Sequence, residues 1–110
     1  MCMKVNVEIY QLKNDIDTQL QFMSFDKIVR TINPFKKNFK SYYKKIYEYE
    51  DETNQKNVIL LLDDIYEKFN LDHPEDYRGH SLSVSDVIIL SGDVYNGIYF
   101  CDSFGWREVD

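Results

Sequence analysis

Val58-Ile59-Leu60-Leu61-Leu62-Asp63-Asp64-Ile65-Tyr66-Glu67-Lys68-Phe69-Asn70 is the stretch on which the fold turns. Leu61, Leu62, Ile65, Tyr66 and Phe69 recur at helical spacing, which predicts a helix over 59–69 with an apolar face. Asp63, Asp64, Glu67 and Lys68 fill the opposite face, and Asn70 is placed to end the helix. Val58–Leu62 is the longest apolar run in the chain, and it stops at Asp63. That falls far short of the roughly eighteen residues a membrane span requires. A helix with one apolar face needs a surface to cover.

The flanking segments supply that surface. Upstream, Val5, Val7 and Ile9 alternate with Asn6, Glu8 and Tyr10, the period-two signature of a half-buried strand. Downstream, Val87-Ile88-Ile89-Leu90 reads as an apolar strand closed by a turn at Ser91-Gly92-Asp93. Ile98-Tyr99-Phe100-Cys101 pairs with it as a hairpin, and Phe104-Gly105-Trp106 with Val109 returns against the sheet. Tyr43, Tyr47 and Tyr49 fit one face of a strand near 42–49, with Ile46 on the other. Ser24 is placed to cap a short helix near 24–32, where Phe25, Ile28 and Ile32 carry the apolar spacing, and Asn33-Pro34 stops it. Lys13–Thr18 reads as a loop, Asp51–Asn57 as a polar linker, and His73–Gly79 as a tight loop with one turn starting at Pro74. The expected fold is α+β: a mostly antiparallel sheet of about four or five strands with one main packed helix.

Composition bounds the function. At 110 residues the chain fits one domain. Aromatics at 15% let a short chain bury a usable core and leave tyrosine rings for a wet surface. Cys2 and Cys101 lie at opposite ends and suggest no disulfide framework, and the first residues carry no signal-peptide pattern, so a reducing cytoplasm is the expected compartment. The net charge of −6 is uneven: residues 1–55 hold nine Lys/Arg against eight Asp/Glu, and residues 56–110 hold four against eleven. An acidic second half argues against phosphate contact over that surface and suits a basic partner.

Several blocks resemble the YodL-like domain family. They are Gly79-His80-Ser81-Leu82-Ser83-Val84-Ser85-Asp86-Val87, Asp102-Ser103-Phe104-Gly105-Trp106, Asp64-Ile65-Tyr66-Glu67-Lys68-Phe69-Asn70 and His73-Pro74-Glu75-Asp76-Tyr77. Ile9–Lys13, Phe22–Asp26 and Tyr43 with Ile46-Tyr47 are similar to its N-terminal half, so the resemblance spans most of residues 1–110 as a single domain. It implies a protein of phage-related regions and mobile elements, near antirestriction-type modules. Size and charge are similar to those of anti-CRISPR proteins. The lysine-rich 34–45 segment and the Val58–Leu60 run depart from the family pattern.

Four constellations carry possible chemistry. The acidic residues Asp63, Asp64, Glu67, Glu75 and Asp76 are the candidates for binding a basic partner, such as the nucleic-acid channel of a defence nuclease. Lys36, Lys37, Lys40, Tyr42 and Lys44 are the candidates for contacting single-stranded DNA. His73, Asp76, His80 and Cys101 are zinc-competent side chains, and a zinc enzyme would also need an open coordination position. Ser81, Ser83, Ser85, Asp86 and His80 suggest a Ser-His-Asp set, but no Gly-x-Ser-x-Gly elbow is present, so the cluster is expected to bond the backbone at a turn.

The reading is therefore a binding protein rather than an enzyme: an inhibitor of a host defence nuclease such as Cas9, blocking DNA loading or cleavage. The alternatives are a single-stranded nucleic-acid accessory protein of conjugation or replication, and a zinc-dependent enzyme.

Overall fold

Strand alternation at the N-terminus organises the whole sheet. The computed structural model describes residues 3–13, 24–32, 34–71, 74–77, 79, 82–92, 94–102 and 105–109. The chain forms β1 (Met3–Leu12), α1 (Phe25–Thr31), α2 (Phe35–Asn38), a 3-10 turn (Phe39–Ser41), β2 (Tyr43–Thr53), α3 (Val58–Leu71), β3 (Val87–Gly92), β4 (Gly97–Cys101) and β5 (Trp106–Val109). The strands lie in the order β2-β1-β3-β4-β5, and every pairing is antiparallel. The fold is α+β, as the periodicity predicts.

Because side chains alternate across a strand, the sheet builds two cores. Val5, Val7 and Ile9 of β1, with Ile88, Leu90 and Tyr99, face Leu61, Leu62, Ile65 and Phe69 of α3. Tyr10, Leu12, Val87, Phe100 and Val109 face the other way, onto Ile28 and Ile32 from α1 and its C-cap and Phe35 and Phe39 from the α2 region. Phe69 is fully buried and meets the rings of Tyr47, Tyr49 and Tyr77 at centroid distances of 5.7, 5.6 and 4.9 Å. Removing such a side chain costs about 3–5 kcal/mol, so Phe69→Ala alone would take a large share of the roughly 5–15 kcal/mol that holds a domain folded.

Four features differ from the sequence reading. The pairing of β1 with β2 slips between Ile9 and Tyr10, where Ile9 faces Tyr47 but Tyr10 faces Lys45. The extra residue, Ile46, reverses the alternation, so Tyr43 packs into the second core while Tyr47 and Tyr49 pack under α3. Strand β2 continues through Glu50–Thr53, because register with Met3–Asn6 outweighs the low strand preference of a polar run. Tyr66, assigned to the apolar face, is 38% exposed. Ser24 is the N-cap of α1, but its side chain makes no capping bond. The Asp102 carboxylate instead accepts the Phe25 N–H at 3.1 Å.

Candidate functional site

α3 begins where Asn57 turns its side chain back to accept the Ile59 N–H at 2.8 Å, satisfying one of the free donors of the first turn. Five apolar residues in succession, Val58–Leu62, cannot all face inward on a helix of 3.6 residues per turn. Leu61 and Leu62 are buried, whereas Ile59 is 40% and Leu60 51% exposed. Leu71 at the far end is 77% exposed. Leu60, Asp64, Glu67 and Leu71 follow one another at i, i+4, i+7 and i+11 along the solvent row. Ile59, Asp63 and Tyr66 form the adjoining row. Among the described residues, five large apolar side chains are exposed, and four of them (Ile59, Leu60, Tyr66 and Leu71) lie on α3.

The row of Asp63 and Tyr66 meets the end of the sheet. Trp106 donates its indole N–H to the Asp63 carboxylate at 3.1 Å. Its ring meets that of Tyr66 edge-on at 6.3 Å. With Val84, Cys101, Asp102 and Gly105 these residues line a cavity of about 240 Å³. Burial pushes the Cys101 thiol up to about 12, and the nearby charges of Asp86, Asp102 and Asp63 push in the same direction. A buried thiol in a negative field is a poor nucleophile. On the opposite flank Lys68 places its ammonium 4.7 Å from the centre of the Tyr49 ring.

The five acidic candidates lie on two segments. Asp63, Asp64 and Glu67 are exposed together on α3. Glu75 and Asp76 are exposed in the turn closed by the bond from Tyr77 N–H to Pro74 O, and Asp76 accepts the Tyr47 hydroxyl at 2.8 Å. That bond is the main reason the Tyr47 phenol is raised above its usual range. Asp64 accepts the Gln55 amide at 2.7 Å.

Lys36, Lys37, Lys40 and Lys44 are exposed, but Phe35, Phe39 and Tyr43 between them are buried in the second core. Tyr42 is half-buried. The segment therefore offers lysines without the row of rings on which single-stranded bases stack.

Of the zinc-competent set, His73 and His80 lie outside the described residues. Asp76 is bonded to Tyr47 on β2, whereas Cys101 is on β4, with β1 and β3 between those strands. The described residues contain no group of three or more His, Cys, Asp or Glu side chains placed to share a metal ion.

Ser81 likewise lies outside the described residues, and the rest of its cluster builds a turn. The Asp86 carboxylate accepts the Ser83 N–H at 3.0 Å and the Gln11 amide at 3.1 Å. Tyr43 donates its hydroxyl to the Ser85 carbonyl at 2.5 Å, and the Ser85 N–H bonds Cys101 O at 2.9 Å. Gly79 sits where a Cβ would strike Ile46 and come within 2.7 Å of Gln11 Oε1 and the Tyr77 hydroxyl. This block anchors the chain to β1 and β2.

Sequence reasoning missed the exposed apolar members of the α3 face and the role of Trp106. The first had a visible signal, since an apolar run of five overfills the inward face of any helix. The second had none, because Asp63 and Trp106 are 43 positions apart.

No helix among the described residues is long and apolar enough to cross a membrane. No curated protein and no solved structure matches the chain. The model of the YodL-like domain matches residues 6–110, from within β1 to the end of the chain, and the chain belongs to the YodL-like domain family.

Proposed function

We propose that this YodL-like domain is a binding module that inhibits a host defence nuclease, Cas9 being the leading target, by docking the outer face of α3 on a basic partner surface. The observation that carries the reading is the composition of that face. Ile59, Leu60, Tyr66 and Leu71 are exposed there and interleaved with Asp63, Asp64 and Glu67. Exposed apolar side chains gathered on one element, with charge around them, are the usual composition of a protein interface. The acids favour a basic partner and disfavour phosphate. Cas9 holds its guide–target duplex in a positively charged channel, so an acidic module seated there would compete with DNA loading or with the rearrangement that precedes cleavage.

The test is a target-DNA cleavage assay with purified Cas9 and guide RNA, the protein being added before or after DNA. Inhibition is expected when it is added first, and the double variant Asp64→Lys/Glu67→Lys is expected to lose it while remaining folded. Full inhibition by that variant would remove the α3 face from the reading. Absence of inhibition at either order, across several Cas9 orthologues, would remove the target.

A further inference from the structure

The cavity beside Trp106 has three properties that together select one kind of ligand. Its walls include the Trp106 and Tyr66 rings, set at 82° to each other, so a flat group can lie on one and meet the other. Its charge is negative. Of the two carboxylates present, Asp102 already accepts the Phe25 N–H and pairs with Arg107 at 3.6 Å. Asp63 has no ion pair among the described residues, and the Trp106 indole N–H occupies only one of its acceptor positions. That bond also fixes the carboxylate beside the indole, so little freedom remains to be lost when a cation arrives. Finally, the cavity opens beside the exposed Asp63 and Tyr66 on the α3 face. An anion would be repelled, and a purely apolar group would take water from the Asp63 carboxylate without supplying a countercharge.

We infer that this cavity is an anchor pocket for an arginine side chain of a basic partner protein, whose guanidinium stacks on Trp106 and pairs with Asp63. Arginine fits better than lysine because its planar fork both stacks on an aromatic face and meets a carboxylate with two parallel bonds. Tryptophan, tyrosine and arginine are also the residue types that most often dominate binding at protein interfaces. The inference rests on the proposed reading of α3 as a protein-docking face, and it names the side chain that face recognises.

Trp106 is the one tryptophan of the chain, so its indole N–H gives a single NMR resonance that reports the pocket directly. The experiment titrates the whole protein with a blocked Gly-Arg-Gly tripeptide and, separately, with its Gly-Lys-Gly counterpart. A saturable shift of the indole resonance is expected with the arginine peptide, at least tenfold weaker with the lysine peptide and with Asp63→Asn. Tyr66→Ala, at an exposed position, is the companion variant and is expected to weaken arginine binding severalfold. No saturable shift, equal affinity for both peptides, or undiminished binding by both variants would overturn the pocket. Loss of the shift with nuclease inhibition intact would sink the pocket alone. A retained shift with no nuclease inhibited would sink the nuclease reading and leave the pocket standing.

Discussion

Asn70 holds both backbone groups of Leu82: its side-chain oxygen accepts the Leu82 N–H at 2.6 Å, and its side-chain nitrogen donates to the Leu82 carbonyl at 3.1 Å. This clamp ties the last turn of α3 to the segment that leads into β3. Leu82 is buried, so its backbone has little access to water once the amide is removed. Asn70→Ala is expected to destabilise the domain by about 2–4 kcal/mol, from two lost bonds and a stranded donor. Asn70→Asp keeps the acceptor but, when ionised, sets its second oxygen against the Leu82 carbonyl, so it is expected to recover only part of that loss. Urea denaturation of the two variants measures both.

Gly79 opens the block by which the family is recognised, and the space around it explains its identity. A methyl group there would strike Ile46 and crowd Gln11 and Tyr77. Gly79→Ala is expected to cost about 1–3 kcal/mol through overpacking. The truncating change Ile46→Val should recover part of that loss in the double variant, since the two sites share one volume. A thermal-denaturation cycle of the four proteins checks the coupling.

Tyr49 presents the opposite case, a polar atom whose removal should help. Its hydroxyl is buried without a hydrogen-bond partner among the described residues, and burial raises its phenol well above the usual range. Tyr49→Phe keeps the ring under α3 and the contact with Lys68. Stability is expected to rise by about 1 kcal/mol, read as a higher urea midpoint at unchanged slope.

The Cys101 thiol is pushed up to about 12 from 9.0, and the Tyr77 phenol up to about 12 from 10.0, burial being the first cause of each. Both groups are held protonated by the fold, so the unfolded chain gives up these protons first. The stability they contribute is present below about pH 9 and is lost as pH rises towards about 12. Cys101→Val should move the onset of alkaline unfolding to higher pH. At pH 8, alkylation of Cys101 in the folded Cys2→Ser protein is expected to run about a thousandfold slower than that of an ordinary thiol. Mass spectrometry of the time course measures it.

The solvent row of α3 should separate binding from stability. Leu60→Ser and Leu71→Ser touch neither core, so each is expected to change stability by no more than about 0.5 kcal/mol. Each should nevertheless weaken nuclease inhibition severalfold. Equal inhibition curves for the wild type and the double variant would show that the partner docks elsewhere.

How much of this was legible in the sequence depended on whether the cause was local. The alternation Val5-Val7-Ile9 and the spacing Leu61-Leu62-Ile65-Phe69 placed β1 and α3 correctly, because one residue pattern matches one repeat. The bulge at Ile46 was not legible, since it is set by register against Tyr10 and shows only when both strands are present. Asp63 was a candidate for its charge alone. Its bond to Trp106 depends on how β5 returns across the sheet, and no local rule contains that. For the lysine segment, contact with single-stranded DNA was one alternative drawn from local residues; that Phe35, Phe39 and Tyr43 pack into the second core depends on how α1 and α2 meet the sheet.

Among the described residues, strand β2 lies at the margin of the sheet and pairs only with β1. Glu48, Glu50 and Glu52 all project from the side away from α3, at intervals of about 7 Å. A second molecule that extended the sheet at this margin would keep like faces together and set its own glutamates against these. Rows of equal charge held a strand apart repel. The long bare margin that would otherwise nucleate fibres is thus guarded by its own side chains at neutral pH. The guard is Coulombic and lies in solvent, so dissolved salt screens it, and high ionic strength, rather than heat, is the condition under which copies of this domain should begin to stick.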